Sequence, residues 1–472
     1  MSKRGIPPKV KQLWPFFFVY FILALTMAAF VLNMINFSEI MWPNEPFHSF
    51  EMGLILSFRM WSMAISGMII GELADRFSRK NLFLFITGLI GVAYLVNGFA
   101  PPSAGIFSWI WFFICNMLAG FGNGGIRPIL LSFTNDALER ENRSKFFGIF
   151  HSIAQIALVI GMIISSMLIY SGYWKVYYWG IGTMVLLGAI IIGLKIREPK
   201  RATQSLDALT EVLGDESIVY DYKLTKETLK STIFRTTNVV AFIEGIFTCV
   251  LFGTLNFLIL PYLQTPPLNI SSVTTALVVV IFGLPGAFLG SLVFAKKFDE
   301  WGSKKIQIRL DLIVFSILLI AVAQFSIFLI PLSGATFTKE EGNNIFNLLQ
   351  YPQFLITGFM WLLISAVRAV YMINQPPILQ AINLPEAQGK ISSWNQFLET
   401  IGQGMGPLIA GAVLATSANN YVIASLVVML IGFPGAVLWA YAKRKIDGDI
   451  QNIQNILAER AEELKNQNNN RN

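Results

Sequence analysis

Charged residues are scarce in this chain of 472 residues, where they make up 13% of the total against 54% hydrophobic residues. Soluble globular domains carry about 25% charged residues, so a soluble chain of this composition could not cover its surface. Cysteine is also rare, and Cys115 and Cys249 both fall inside apolar runs. The composition therefore indicates a membrane protein and argues against a disulfide framework or a cysteine-based metal cluster.

Motifs that would indicate an enzyme or an ATP-driven pump are absent from the sequence. It contains no Walker-type G-x-x-x-x-G-K-[ST] segment, no nucleophile elbow and no His/Asp-rich constellation. The net charge of +7 could suggest nucleic acid, but no basic stripe interleaved with aromatic residues occurs. We therefore expect no enzymatic activity, no cofactor, no metal site and no nucleic-acid partner.

Twelve apolar stretches are each long enough to cross a bilayer, which takes about 20 helical residues for roughly 30 Å of hydrocarbon. Lipid satisfies no backbone hydrogen bond, and runs this long and uniformly apolar suit helices rather than barrel strands. The predicted spans are 14–36, 52–74, 81–99, 107–133, 146–170, 174–195, 236–262, 273–295, 306–331, 353–380, 391–416 and 419–442.

The positive charges predict how these helices are oriented. Of the 35 Lys and Arg residues, 30 lie before the first helix, after even-numbered helices or in the tail. The loops on the other side hold only Lys175 and Lys339, and the remaining three are arginines within helices. Because Lys and Arg concentrate on the cytoplasmic side, we predict that the N- and C-termini are both cytoplasmic.

A polar segment and a short internal repeat divide the chain into two halves. Residues 141–145 (ENRSK) correspond to residues 386–390 (EAQGK), and at the same offset of 245 Gly161 corresponds to Gly406. Internal repeats of this kind are typical of transporters. The predicted units are a six-helix bundle over 1–196, a cytoplasmic linker over 197–235, a second six-helix bundle over 236–442 and a cytoplasmic tail over 443–472.

The loop between the second and third helices carries a recognisable motif. Its residues 71–80 (GELADRFSRK) resemble the signature G-x-L-a-D-R-x-G-R-K of the major facilitator superfamily, with Ser78 in place of the second glycine. The resemblance implies an all-α membrane protein with twelve transmembrane helices in two pseudo-symmetric six-helix bundles, usually monomeric. It also implies a latch that holds the halves in the outward-facing state, formed by Gly71, Asp75, Arg76, Arg79 and Asp136.

Other segments depart from this family's pattern. In the second-half copy of the loop Phe294 replaces the aspartate, and in the fourth helix Asn116 stands where the family has an arginine ahead of Gly120. These departures disfavour a drug:proton antiporter. The segment around Gly122 and Asn123 loosely resembles spinster-like lysolipid transporters, so export of an amphipathic, drug-like or lysolipid-like molecule remains an alternative.

Polar residues at membrane depth are costly and usually face a cavity, which makes them candidate site residues. They follow one face of the fourth helix, one face of the tenth and one face of the eleventh. Because guanidinium groups bind carboxylate and phosphate through paired hydrogen bonds, we predict a small organic anion as the substrate. The candidate substrate-binding residues are Arg368, Arg127, Asn123, Tyr371, Gln375, Gln396 and Gln403.

Three ionisable residues at similar depth, Glu399, Glu244 and His151, are candidates for proton coupling. A structural interpretation stays open beside this one: Arg368 could pair with a buried glutamate, and the Gln and Thr side chains could simply join helices. We predict secondary active transport by alternating access, coupled to protons or another ion, in the cell (plasma or inner) membrane. A membrane sensor with the same fold and no turnover is the alternative outside transport.

Overall fold

A computed structural model describes residues 8–138, 140–199, 232–329, 332 and 335–469. Most of the predicted linker (200–231) and the last three residues of the tail lie outside this part of the chain, as does the side chain of Asp75. Within the described residues, twelve helices are long and apolar enough to cross a membrane. The chain is therefore an integral multi-pass membrane protein, as its composition predicts.

The twelve transmembrane helices each overlap one of the predicted spans. They are α1 (Trp14–Leu32), α2 (Ser49–Arg76), α3 (Arg79–Asn97), α4 (Ile106–Ala137), α5 (Arg140–Tyr170), α6 (Trp174–Lys195), α7 (Thr236–Gln264), α8 (Ser272–Gly302), α9 (Ile306–Leu329), α10 (Pro352–Ala381), α11 (Pro385–Thr416) and α12 (Tyr421–Ala442). An even number of crossings puts both ends of the chain on one side of the membrane. We call that side the terminal face and the other side the opposite face.

Two of these helices are irregular where the sequence suggested continuous runs. Within α1 the side chain of Thr26 donates to the carbonyl of Leu23, and just after α1 Asn33 donates to the carbonyl of Ala29. The helix is interrupted at the first place and ends at the second, before a short helix over Met34–Met41. Such bonds compete with the helical ladder. In α8 two π-helical segments flank Pro285, which lacks the N–H group that a regular α-helix requires.

The two halves repeat the same packing. In each half the first helix packs against the fifth and sixth, the second against the fourth, and the third against the fourth and sixth. The corresponding pairs of the second half are α7 with α11 and α12, α8 with α10, and α9 with α10 and α12. Each half is therefore a six-helix bundle of one design, which agrees with the internal repeat in the sequence.

The halves contact each other from the middle of the membrane to the opposite face. Among the described residues five side-chain hydrogen bonds join them: Asn36–Ser272 (3.0 Å), Ser49–Gly411 (3.1 Å), Trp61–Ile401 (3.0 Å), Tyr170–Asn343 (3.3 Å) and Gln264–Leu32 (2.8 Å). Nearer the terminal face, polar side chains of both halves such as Arg127, His151 and Gln396 are exposed. The cleft between the halves thus opens toward the terminal face.

A helix that follows α12, α13 (Ile446–Asn469), packs under the second half at the terminal face. Its Asp449 accepts hydrogen bonds from the backbone N–H and hydroxyl of Thr237, in the first turn of α7. Arg460 pairs with Glu386, in the first turn of α11, at 2.7 Å, and Ile453 is buried between these contacts. The tail therefore ties the starts of α7 and α11 together.

Replacing Gly53 by alanine should weaken the seam between α2 and α11. A Cβ at Gly53 would overlap the backbone carbonyl of Pro407, whereas a Cβ at Gly180 would meet no atom within 4 Å. Overpacking typically costs about 1–3 kcal/mol. The ratio of the conformation open to the terminal face to the conformation open to the opposite face should therefore fall roughly tenfold. Distances between spin labels at Glu45 and Glu340 would measure this, with Gly180→Ala as the control. Unchanged distances in Gly53→Ala would show that this seam does not hold the conformation.

Candidate functional site

Arg368 lies near the middle of α10, roughly 24 Å along the helix from its start. Its guanidinium stacks over the ring of Phe252 on α7, with Cζ 4.9 Å from the ring centroid. The side chain is half-buried, and it forms no hydrogen bond or ion pair with another described residue. A charge at this depth is expensive unless it meets a partner or water, and the partner that the structure shows for this guanidinium is the face of the Phe252 ring.

Toward the terminal face, Glu244 of α7 is fully buried and accepts hydrogen bonds from two hydroxyl groups. Thr248 donates to it from one turn further along α7, and Tyr371 of α10 donates to both carboxylate oxygens at 3.1 and 3.2 Å. Gln375 in turn donates to the Tyr371 oxygen at 3.1 Å. The structure thus brings three of the predicted site residues into one buried hydrogen-bonded chain.

Glu399 of α11 is half-buried beside this chain. Asn395, one turn earlier on the same helix, donates to its Oε1 at 2.7 Å. Its side chain packs against Gly245, the residue after Glu244, where an added Cβ would lie 3.1 Å from the Glu399 Cγ. The two carboxyl groups therefore occupy neighbouring positions in the second half, and within the described residues neither forms an ion pair with Arg368.

The other predicted residues of α11 and α5 lie further from this cluster. Gln403 reaches Cys249 of α7, with its Nε2 4.0 Å from the sulfur. Gln396 and His151 are exposed, and the side chain of neither makes a hydrogen bond to a described residue. These two side chains belong to the cleft-facing stripes of α11 and α5 rather than to the hydrogen-bonded chain.

The first half contributes to the cleft differently. The offset of 245 aligns Asn123 with Arg368, but the Asn123 amide donates to a carbonyl of its own helix, one turn earlier, at 2.7 Å. Arg127, one turn further along α4, is exposed and lies close to Tyr20 of α1. Tyr20 stacks on Phe150 of α5, with ring centroids 3.6 Å apart. The two candidate arginines, Arg127 and Arg368, thus belong to different halves.

The signature loop forms a charge cluster at the terminal face of the first half. The buried Arg79 guanidinium pairs with Asp136 of α4 and with Glu198, which follows α6, and donates to the carbonyl of Ser132 at 2.8 Å. Gly71 faces the ring of Pro128 in α4. The cluster therefore joins α3, α4 and the end of α6.

Arg76 stands apart from the Arg79–Asp136 pair, although the resemblance groups all three. It lies in the last turn of α2, is exposed, and pairs with Glu72 one turn earlier at 2.6 Å. The predicted role of Asp75 in the latch concerns a side chain outside the described part of the chain. In this conformation Glu386, at the start of α11, pairs with Arg460 of the tail helix.

Glu198 was not among the predicted site residues, yet it is central to this cluster. Its carboxylate accepts hydrogen bonds from the backbone N–H groups of Arg79 and Lys80 and from the Ser78 hydroxyl. Partial burial would raise the pKa of Glu198, but these hydrogen bonds hold it below its usual value. The resulting stabilisation is present above the usual carboxyl pKa and is lost as pH falls through the lowered pKa.

Replacing Arg79 by glutamine should destabilise the first half. The change would leave the Asp136 and Glu198 carboxylates without their shared cation, and breaking a buried pair costs about 3–5 kcal/mol. Thermal unfolding of the purified protein should show a clearly lower midpoint. Arg76→Gln is the matched control, because an exposed pair one turn apart contributes only about 0.3–0.5 kcal/mol. Equal midpoints for the two variants would contradict the role of the cluster.

Comparison with known proteins decides the family. The sequence model of the Major Facilitator Superfamily matches residues 16–407, which include nine complete transmembrane helices, α2 to α10, and parts of α1 and α11. The chain belongs to the Major Facilitator Superfamily. It is thus a transporter rather than an enzyme, as the absence of catalytic motifs led us to expect.

This facilitator is similar to several characterised relatives over parts of its length. It is 24% identical to the niacin transporter NiaP of Acinetobacter baylyi over 31% of this chain and 32% of that protein. It is 26% identical to a gentisate transporter of Corynebacterium glutamicum over 31% and 32%. It is 24% identical to the class H tetracycline resistance protein of Pasteurella multocida over 57% and 63%. The chain spans about a third of the first two relatives and under two thirds of the third.

The fold of this facilitator matches solved structures along nearly its whole length. A bacterial homologue of the human lysosomal transporter spinster, in an inward-facing and unoccupied conformation, superposes with a TM-score of 0.68. The sequences are 14% identical, and the match covers 94% of this chain and 99% of the other. At that identity the likeness establishes the fold, including the two pseudo-symmetric six-helix bundles.

Phe252 and Asn395 contact the candidate site residues and were not predicted, although the sequence contains a signal for each of them. Phe252 follows Glu244 and Thr248 at steps of four residues, which places all three on one face of α7. Asn395 precedes Glu399 by four residues, the spacing at which side chains on a helix meet. Sequence alone gives no comparable signal for Glu198, which meets the start of α3 through a tertiary contact.

Proposed function

We propose that this facilitator is a secondary active transporter that works by alternating access and carries a small organic anion together with a proton. The observation that carries the proposal is the half-buried Arg368 guanidinium at mid-membrane, stacked on Phe252. The nearby carboxylates are engaged by other donors, Glu244 by hydroxyl groups and Glu399 by an amide. The guanidinium is thereby left to a substrate anion.

The chemistry of arginine supports a carboxylate or phosphate group on the substrate. A planar guanidinium binds either group through two parallel charge-assisted hydrogen bonds. Phe252 contacts the Arg368 guanidinium through its ring face, a contact that leaves the N–H groups of the guanidinium available for such bonds. The site would be completed from both halves by Arg127, Asn123, Gln396 and Gln403. Tyr371 and Gln375 would support it on the side of Arg368 that is nearer the terminal face.

The relatives support an anionic substrate. Niacin and gentisate, which two of the relatives are named for transporting, are both aromatic carboxylic acids that carry a negative charge at neutral pH. Each match covers about a third of the relative, so these names suggest a class of substrate for this chain rather than one compound. An aromatic ring could pack beside Phe252 while its carboxylate binds Arg368.

Proton coupling is assigned to Glu399 and Glu244. Glu399 is half-buried at the cleft, whereas Glu244 is fully buried behind it and is linked to Tyr371 and Gln375. We propose that Glu399 exchanges protons with the cleft. We also propose that the Tyr371 hydroxyl connects Glu244 to the region between Arg368 and the terminal face. Exposed His151 would assist proton entry from the terminal face.

Alternating access follows from the way the halves meet. The seam from mid-membrane to the opposite face is closed, and the cleft opens to the terminal face, which the charge distribution predicts to be cytoplasmic. Rocking of the first bundle (1–196) against the second (236–442) would close the cleft and open the seam. The Asp75 loop would then latch the terminal face, and the chain would act as a monomer.

Uptake into proteoliposomes tests this proposal. The full chain would be reconstituted and a pH gradient imposed, acidic on the side of substrate addition. We expect radiolabelled nicotinate or gentisate to accumulate above its equilibrium level, and nicotinamide, the neutral analogue of nicotinate, to remain at equilibrium. Equal uptake of nicotinate and nicotinamide would contradict an anion site. Absence of flux for these and for a wider panel of carboxylates and phosphates would favour the sensor alternative.

A second candidate function is export of an amphipathic, drug-like or lysolipid-like molecule. The tetracycline resistance relative matches 57% of this chain, and the aromatic pair Tyr20 and Phe150 gives the cleft of the first half an apolar surface. Expression in a drug-sensitive bacterial host distinguishes the two functions. Raised resistance to tetracycline, without uptake of carboxylates in the liposome assay, would favour the exporter.

A further inference from the structure

A second cavity lies at the terminal face of the first half, away from the cleft between the halves. It measures about 720 Å³ and forms where α1 begins and where α4 and α6 end. Its inner wall is apolar, with the buried side chains of Leu13, Phe133 and Leu138. The cavity therefore combines an apolar wall with an open rim.

The rim of this cavity is strongly basic. Lys9 and Lys11 come from the short helix Pro8–Gln12, and Lys195 and Arg197 come from the end of α6. Among the described residues that line it, Asp136 is the one acidic residue, and its carboxylate pairs with Arg79. Lys11, Lys195 and Arg197 thus bring positive charge to a space in which the Asp136 carboxylate pairs with Arg79.

Several features place this cavity at the level of lipid headgroups. Trp14, which lines it, is the first residue of α1 and is partly exposed, and tryptophan is enriched at membrane–water interfaces. The Lys195 ammonium lies 5.7 Å from the Trp14 ring centroid, so the basic rim and the aromatic residue share one depth. At this depth, an anionic group that approaches the cavity in the plane of the membrane belongs to a surrounding lipid.

The second half also carries basic residues after its sixth helix, Lys443, Arg444 and Lys445, but they differ from this rim in position and pairing. The offset of 245 that aligns the halves puts Ala440 and Ala442 at the positions of Lys195 and Arg197. Lys443, the first residue after α12, pairs with Asp311 of α9 at 2.6 Å, whereas Lys195 and Arg197 line the cavity. The cations of the rim are therefore placed differently from those that follow α12.

We propose that this cavity binds the phosphate headgroup of an anionic phospholipid from the leaflet at the terminal face. Basic pockets between transmembrane helices are suited to such headgroups, because each nearby Lys or Arg attracts the phosphate and the apolar wall accommodates the start of the acyl chains. A bound headgroup would sit beside Asp136, and hence next to the Arg79 cluster of the signature loop. This inference does not depend on the substrate proposed above.

Native mass spectrometry of the full chain tests the proposal. The detergent-purified protein would be titrated with phosphatidylglycerol and, separately, with zwitterionic phosphatidylcholine. We expect selective retention of phosphatidylglycerol and roughly 25-fold weaker binding in the double variant Lys195→Gln/Arg197→Gln, since each cation contributes about fivefold. The matched control is Lys304→Gln/Lys305→Gln, an exposed pair between α8 and α9 on the same face, which should bind like the wild type.

A single variant and a soluble competitor complete this test. Lys11→Gln changes one exposed side chain outside the bundle and should weaken binding about fivefold, even if the double variant folds poorly. Equal retention in Lys11→Gln and the wild type, or equal retention of the two lipids, would overturn the proposal. Displacement of phosphatidylglycerol by inorganic phosphate would also overturn it, because the cavity would then bind phosphate without requiring the lipid.

Discussion

Replacing Arg368 by glutamine should lower kcat/KM for uptake of an organic carboxylate at least 100-fold. The change removes the mid-membrane guanidinium that stacks on Phe252 and leaves a shorter, neutral amide side chain. A pair of charge-assisted hydrogen bonds to a carboxylate is worth about 3 kcal/mol or more, which corresponds to roughly 100-fold. Initial rates of nicotinate or gentisate uptake into proteoliposomes would measure the loss.

Two further variants separate charge from geometry at this position. Arg368→Lys keeps the positive charge but loses the planar fork, so we expect an intermediate rate. Arg444→Gln removes an exposed arginine just after α12 and should transport like the wild type. If Arg368→Gln transported the carboxylate as well as Arg444→Gln, the anion would bind elsewhere and Arg127 would become the next candidate.

Replacing Glu399 by glutamine should abolish uphill accumulation while leaving exchange of substrate across the membrane. Glutamine has nearly the shape of a protonated glutamic acid but cannot release a proton into the cleft. When one proton accompanies each monoanion, a gradient of one pH unit supports about tenfold accumulation. We expect this ratio to fall to about one in Glu399→Gln, with counterflow of labelled against unlabelled substrate retained within a few-fold.

The carboxyl group of Glu244 provides the comparison for the expected loss of accumulation in Glu399→Gln. Glu244 is fully buried and held by Tyr371 and Thr248, so Glu244→Gln tests whether the proton reaches that position. Glu340→Gln changes an exposed loop residue and should leave accumulation unchanged. Normal accumulation in Glu399→Gln together with its loss in Glu244→Gln would move the proton site to Glu244. Normal accumulation in both would exclude proton coupling through this cluster.

The transmembrane architecture could be predicted from sequence because the bilayer fixes the length of an apolar helix. Each predicted span overlaps an observed helix, and the motif at 71–80 indicates the family from ten consecutive residues. The irregularities were not predictable in the same way. The break within α1 and its end depend on where Thr26 and Asn33 find carbonyl acceptors, and the π segments of α8 depend on how the chain packs around Pro285.

The candidate site could be predicted only in part, since sequence periodicity assigns residues to faces but does not say which faces meet. Periodicity places Tyr371 and Gln375 on the same face as Arg368, and the structure shows them bonded in a chain that ends at Glu244 on a different helix. The register between α7 and α10 sets that contact. The same register sets Phe252 under Arg368, so the alternative of an Arg368–glutamate ion pair could be judged only from three-dimensional packing.

A structure of the full chain with a transported carboxylate bound would show whether Arg368 holds the anion. We expect the carboxylate to lie near mid-membrane, with its two oxygens about 2.7–2.9 Å from the Arg368 guanidinium nitrogens. The remainder of the substrate would lie in the cleft between the halves, within reach of Gln403. A carboxylate bound to Arg127 alone, with Arg368 turned to pair with Glu244 or Glu399, would contradict the account.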